Sequence, residues 1–89
     1  MIRMFARHDV ADLATWRRHY DAFDAERRSL GVKAEAVYPS ARGGADVTVT
    51  HDFDSLEQAD AFAASPRLRE VMAEAGVVGS PTVWFTRLD

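Results

Sequence analysis

Cysteine is missing from this chain. That excludes a disulfide framework, a thiolate nucleophile and any thiolate metal site. Long apolar runs are missing too: nothing approaches the roughly 18 residues that a membrane span needs. Arg3 and Arg7 interrupt the apolar N-terminal residues that a signal peptide would require. No concentrated basic patch is present and the net charge is -3, which argues against nucleic acid as the main partner. Gly43-Gly44 stands alone, a turn signal with no phosphate-binding loop around it. These absences leave one small domain of 89 residues, expected in the cytoplasm with neither a membrane nor a nucleic-acid partner. A chain this short buries about two-thirds of the surface its unfolded form exposes, so association would help to stabilise it.

The organising stretch runs from Asp9 to Gly31. Asp12 suits an N-cap, its carboxylate accepting from amides of the first turn. Leu13, Trp16, Tyr20, Phe23, Arg27 and Leu30 follow at alternating steps of three and four, which predicts one continuous helix of about four to five turns. Gly31 is the expected C′ residue, with Arg27 and Arg28 near the negative end of the dipole.

Around this helix, alternation predicts strands. Residues 2–8 place Ile2, Met4, Ala6 and His8 on one face and Arg3, Phe5 and Arg7 on the other. Val32 to Tyr38 alternates next and ends at the turn signal Pro39-Ser40-Ala41-Arg42-Gly43-Gly44. Asp46 to Phe53 is the clearest strand, with Val47, Val49, His51 and Phe53 sharing a face. Ser55 and Gln58 form a capping-box pattern that opens a second helix with Leu56, Ala59, Phe62 and Ala63 as its inner face. Ser65-Pro66 breaks that helix and restarts it through Leu68, Val71, Met72 and Ala75 until Gly76. Gly79-Ser80-Pro81 reads as a turn, and Thr82 to Leu88 as the last strand.

The order βαββαβ predicts an α+β, ferredoxin-like fold: a four-stranded antiparallel sheet of order 4-1-3-2 with both helices on one face. Phe5, Val37 and one side of the last strand would lie on the open face. Pairing of two such sheets into an α/β barrel is the natural way to cover them.

Several segments carry a family resemblance. Arg7-His8-Asp9-Val10-Ala11-Asp12, Trp16, Glu26-Arg27-Arg28 and Gly31 belong to it. So do Phe53 to Ala59, Ser65 to Met72, Ala75-Gly76-Val77 and the ending Pro81-Thr82-Val83-Trp84-Phe85. Together they resemble the dimeric α/β-barrel superfamily of antibiotic-biosynthesis monooxygenases, and within it short polyketide-cyclase-like proteins. The resemblance spans nearly the whole chain and implies this fold, a homodimer, no cofactor and a small-molecule substrate. It leaves the chemistry open, because the superfamily hosts cofactor-free oxygenases, polyketide cyclases, haem-degrading enzymes and isomerases. His51 stands where such sequences usually carry an aliphatic residue.

The histidines do not spell a metal site. His8 and His51 fall near opposite ends of neighbouring strands, about 13 Å apart at 3.3 Å per residue, whereas zinc needs ligands near 2 Å on one centre. His19 lies off the inner stripe, where water can reach it. His8 is the catalytic candidate: at the carboxyl end of the first strand, a neutral imidazole can take a proton from a phenol or from an activated carbon of a poly-keto chain. Its structural alternative is a hydrogen bond to the Asp9–Asp12 loop. Trp16, Tyr20, Tyr38, His51 and Trp84 are the candidate substrate-binding residues, an aromatic pocket between sheet and helices in which Tyr20 and Tyr38 hold carbonyl oxygens. Arg17 and Arg27 are better read as members of solvated or dimer-facing salt bridges than as partners of an enolate.

The expected function is a small polyketide-cyclase-like or cofactor-independent monooxygenase-like enzyme acting on an aromatic or poly-keto molecule. The alternatives are a non-catalytic dimeric module that binds a small ligand or a partner, with a filled core and ordinary histidine titration, and a haem-binding protein with His8 or His51 as axial ligand.

Overall fold

The computed structural model describes residues 1–89. Alternating side chains build four strands: β1 (Ile2–Val10), β2 (Ala34–Pro39), β3 (Asp46–Phe53) and β4 (Val77–Arg87). They form one antiparallel sheet of order β2-β3-β1-β4, the expected order read from the other edge. β1 and β3 pair at the centre, with Met4 opposite His51 and His8 opposite Val47.

That register decides the faces, because residues directly opposed across a ladder point the same way. Met4, Ala6, His8 and Val10 of β1 share the helix side with Val47, Val49, His51 and Phe53 of β3, all of them buried. Arg3, Phe5 and Arg7 share the open side with Thr48, Thr50 and Asp52. There the Phe5 ring stacks on Trp84 of β4 at 5.2 Å. Arg3 grips Asp52 through two hydrogen bonds of 2.8 and 3.0 Å. Val37 does not join this open face. It stands opposite buried Val49, so the side chain of β2 that turns outward is Tyr38.

Each expected helix is broken once. The first divides at Phe23 into α1 (Leu13–Ala22) and α2 (Asp24–Ser29). Asp12 caps α1 by accepting from the Thr15 amide and hydroxyl at 2.8 and 2.7 Å. The break has a local cause. The Tyr20 carbonyl accepts from the Arg27 guanidinium at 2.6 Å and, at 3.3 Å, from the Phe23 amide. A side chain inserted into the ladder in this way interrupts it. The second helix divides where Ser65-Pro66 predicts, into α3 (Leu56–Ala63) and α4 (Pro66–Glu74), with Ser55 capping α3 through the Gln58 amide.

The last strand is longer than expected. Gly79-Ser80-Pro81 is not a turn before β4 but a bulge within it: the two-residue step from Arg7 to Asp9 of β1 faces the four-residue step from Thr82 to Val78. Gly79 takes φ +71° there, a conformation glycine adopts without strain. Proline is tolerated because β4 is an edge strand with a side that pairs with nothing.

Only one residue pair joins α1–α2 to α3–α4 by side-chain hydrogen bonds. Arg67 holds both oxygens of Glu26 at 2.9 Å. An exposed ion pair holds two helices together weakly and is screened by salt. Replacing Glu26 by Gln should therefore loosen the helices without unfolding the chain. In a Trp84→Phe background, where Trp16 is the remaining indole and only 3% exposed, acrylamide quenching should rise by at most about five-fold. The thermal midpoint should hardly move.

Candidate functional site

Between the inner face of the sheet and the helices lies a cavity of about 60 Å³, walled almost entirely by apolar side chains. Two histidines interrupt that wall. His8 comes from β1 and His51 from β3, four positions apart along the central ladder. They are 6% and 4% exposed, and none of their four ring nitrogens makes a hydrogen bond within the protein. Native structures rarely leave buried polar atoms so, because each unmade bond costs the full desolvation of the group. Burial lowers the pKa of His8, with nearby Asp9 opposing it. Burial, then the charge on Arg27, pushes His51 down to about 3. Both rings are therefore neutral at pH 7, each with one nitrogen free to accept and one N–H free to donate.

The helices supply aromatic rings against these imidazoles. The Trp16 ring lies 5.6 Å from His8 and 4.9 Å from Tyr20. Tyr20 in turn lies 6.2 Å from His51, and Phe62 of α3 lies 5.2 Å from His51 on another side. The Tyr20 hydroxyl is already engaged: it donates to Glu35 of β2 at 2.5 Å. Burial and that bond push the phenol well above its ordinary range. Tyr20 thus presents its ring, not its hydroxyl, to the cavity. Val71 and Met72 of α4 close the far wall.

Of the residues singled out in the sequence, the structure brings His8, Trp16, Tyr20 and His51 together at this cavity. It does not bring Tyr38 or Trp84 there. Tyr38 is 57% exposed and Trp84 41%, and both stand on the open side of the sheet. β2 and the end of β4 carry apolar residues at successive positions, so alternation alone leaves their inward side undecided. His19 sits half-buried with Nδ1 3.0 Å from the Thr15 carbonyl. No group of three or more metal-binding side chains converges anywhere in the chain. A space of 60 Å³ holds a few water molecules, far less than a haem.

Arg27 is the residue that the sequence reading misplaced. It is 2% exposed and reaches the cavity, with its guanidinium carbon 3.8 Å from the centre of the Tyr20 ring. Its position on the apolar stripe of the first helix was the available signal, since a stripe residue faces inward whatever its charge.

No protein-family model matches the sequence, and no curated protein matches it. Solved structures do match. An antibiotic biosynthesis monooxygenase superposes over 100% of this chain and 99% of its own, with a TM-score of 0.74 at 12% identity. Rv0793 from Mycobacterium tuberculosis matches over 99% of this chain and 95% of its own, with a TM-score of 0.73 at 20% identity. A monooxygenase from the gene ActVA-Orf6 of Streptomyces coelicolor, solved with nanaomycin D, covers 99% of this chain and 87% of its own, with a TM-score of 0.71 at 18% identity. The fold is that of the antibiotic biosynthesis monooxygenases. At these identities the likeness concerns the backbone, and the side chains of the cavity carry the argument about chemistry.

The unpartnered imidazole of His51 makes a prediction about stability. Its folded pKa of about 3 lies below the ordinary 6.5, so between these values the unfolded chain binds the extra proton. Stability should be full above pH 6.5 and fall as the pH drops toward 3, with His8 adding to the loss in the same sense. A His51→Leu variant removes the buried unmade bonds and should gain about 1–3 kcal/mol at pH 7, with a flatter acid limb. Urea denaturation at pH 7, 6 and 5 checks both, and a variant less stable than wild type at pH 7 would assign His51 a structural role.

Proposed function

We propose that the chain is a small enzyme of the cofactor-independent monooxygenase or polyketide-cyclase type, a cytoplasmic homodimer that removes a proton from a planar aromatic or poly-keto molecule in the cavity. One observation carries the reading: two buried imidazoles, with all four nitrogens unbonded within the protein, line a cavity whose one other non-hydrophobic residue is Arg27. The alternative of a non-catalytic module expects a filled core beside Trp16 and ordinary histidine titration. The cavity and the lowered pKa values of His8 and His51 both argue against it.

The roles follow from environment. His8, whose burial Asp9 offsets, is the base that accepts a proton from a phenol or from a carbon flanked by carbonyls. His51 stays neutral because it is buried, with the Arg27 charge adding to the effect, and donates its N–H to the oxygen on which charge develops. Trp16 supplies a stacking wall. A carbanion formed in this way has two outcomes. In a cyclase it attacks a carbonyl of the same molecule, forming a carbon–carbon bond, and His8 returns the proton to the new alkoxide. In an oxygenase it is oxidised by dioxygen: a CH₂ becomes C=O, and the second oxygen atom leaves as water. Neither outcome requires a metal or an organic cofactor. A bicyclic or larger ring exceeds the 60 Å³ present, so α1–α2 and α4 separate on entry, with the Arg67–Glu26 pair as their one side-chain link.

Titration with an anthrone, followed by indole fluorescence, tests the site. Quenching should survive Trp84→Phe and vanish in Trp16→Phe, since only Trp16 adjoins the cavity. Exchange of the anthrone methylene hydrogens with deuterium oxide, read by NMR, reports the proton step before either outcome. His8→Ala should slow it about 10²-fold; an unchanged rate sinks the proposed base. An oxygen electrode then separates oxygenation from cyclisation.

For the dimer, the support is the open sheet face, where Phe5, Trp84, Tyr38 and Val78 share a side. Sedimentation should return twice the mass of the 9.9 kDa chain, and Trp84→Glu should shift it toward the monomer by placing a charge within the apolar contact.

A further inference from the structure

We infer that the cavity takes its ligand as an anion, a planar ring system bearing an oxyanion (phenolate, enolate or carboxylate), and that Arg27 is the residue that selects it. The inference rests on the cavity being the ligand site and adds the charge of the ligand.

Arg27 is the largest fully buried side chain in the protein. A buried cation is costly unless it is paired, and its pairing here is incomplete. Its one carboxylate partner is Asp24, at 3.1 Å through a single hydrogen bond, and that carboxylate is 43% exposed to water. Asp24 also binds Arg28 at 3.0 Å. Two guanidinium groups thus share the Asp24 carboxylate, with Glu35 the next negative charge near Arg28. The other hydrogen bond of Arg27 goes to the neutral Tyr20 carbonyl at 2.6 Å. Two of the five donors that a guanidinium carries are accounted for. No aspartate or glutamate lines the cavity. Glu35, the carboxylate bonded to Tyr20, accepts from that hydroxyl on β2 and makes no hydrogen bond or ion pair with Arg27.

The cation is also fixed in place. Its edge is tied to the carbonyl at the helix break and its face lies 3.8 Å from the Tyr20 ring centre. A charge held rigidly beside a largely apolar cavity interacts with an incoming anion more strongly than it would at the surface. A neutral ring gains the stacking alone; an anionic ring gains the charge-assisted hydrogen bonds as well.

The test compares two ligands of the same shape. In the Trp84→Phe protein at pH 7.5 and low salt, 2-naphthoate should quench Trp16 with a dissociation constant about ten-fold below that of 2-naphthamide. Arg27→Gln should bring the ratio close to one and Arg27→Lys should keep part of the preference, with circular dichroism reporting whether each variant is folded. The wild-type cavity decides the matter even if Arg27→Gln fails to fold. Equal affinities, or tighter binding of the amide, would overturn the anion preference and leave the cavity as a site for neutral rings. Saturable binding of neither compound would overturn the preference and the ligand site together.

Discussion

The register between β1 and β3 is the constraint on which everything else in this molecule depends. Side chains alternate along a strand, so a slip of one residue would exchange the two faces of the sheet entirely. As built, the ladder sets Met4 against His51, Ala6 against Val49 and His8 against Val47. The same pairing sends Phe5 and the Arg3–Asp52 ion pair to the other side. One strand therefore carries a buried inner face with His8 and an outer face with Phe5. The buried valines and Phe53 make the slip prohibitively costly, and so the hydrophobic core, not any polar contact, positions both imidazoles.

Arg27 couples the fold to the site in a second way. Its bond to the Tyr20 carbonyl interrupts the first helix, and its guanidinium packs on the Tyr20 ring. It also depresses the basicity of His51. A single side chain thus shapes the backbone, wall and electrostatics of the cavity. Burial lowers the pKa of both histidines; the Arg27 charge adds to the shift at His51, and Asp9 opposes it at His8.

Much of this was legible before any coordinates, and the remainder failed for physical reasons. β3 alternates apolar or aromatic with polar residues throughout, Val with Thr from Val47 to Thr50, and its ends fall where the pattern places them. Ser65-Pro66 announces the break between α3 and α4 because proline restricts the residue before it. The break at Phe23 carries no such local mark, because its cause is a bond between residues seven apart that forms only once Arg27 is buried. Gly79-Ser80-Pro81 has the composition of a turn and becomes a bulge because an edge strand has a free side to absorb it. Tyr38 and Trp84 were assigned to the wrong face since their neighbours Val37, Val83 and Phe85 are apolar as well, which erases the alternation. Of the site, His8, Trp16, Tyr20 and His51 were legible as chemistry-bearing residues on inward stripes. Arg27 was discounted because a cation on such a stripe is usually solvated.

The cavity has a consequence in volume. Interiors are close-packed, and voids of the size found beside Trp16 are few in a domain. Unfolding eliminates whatever part of such a space water leaves unfilled, so the system shrinks to that extent when the chain opens, and hydrostatic pressure favours the open state. Heat and denaturant act on the whole apolar core, whereas compression acts where the packing is incomplete. In this fold the incompletely packed region lies beside Trp16, between the sheet and the helices.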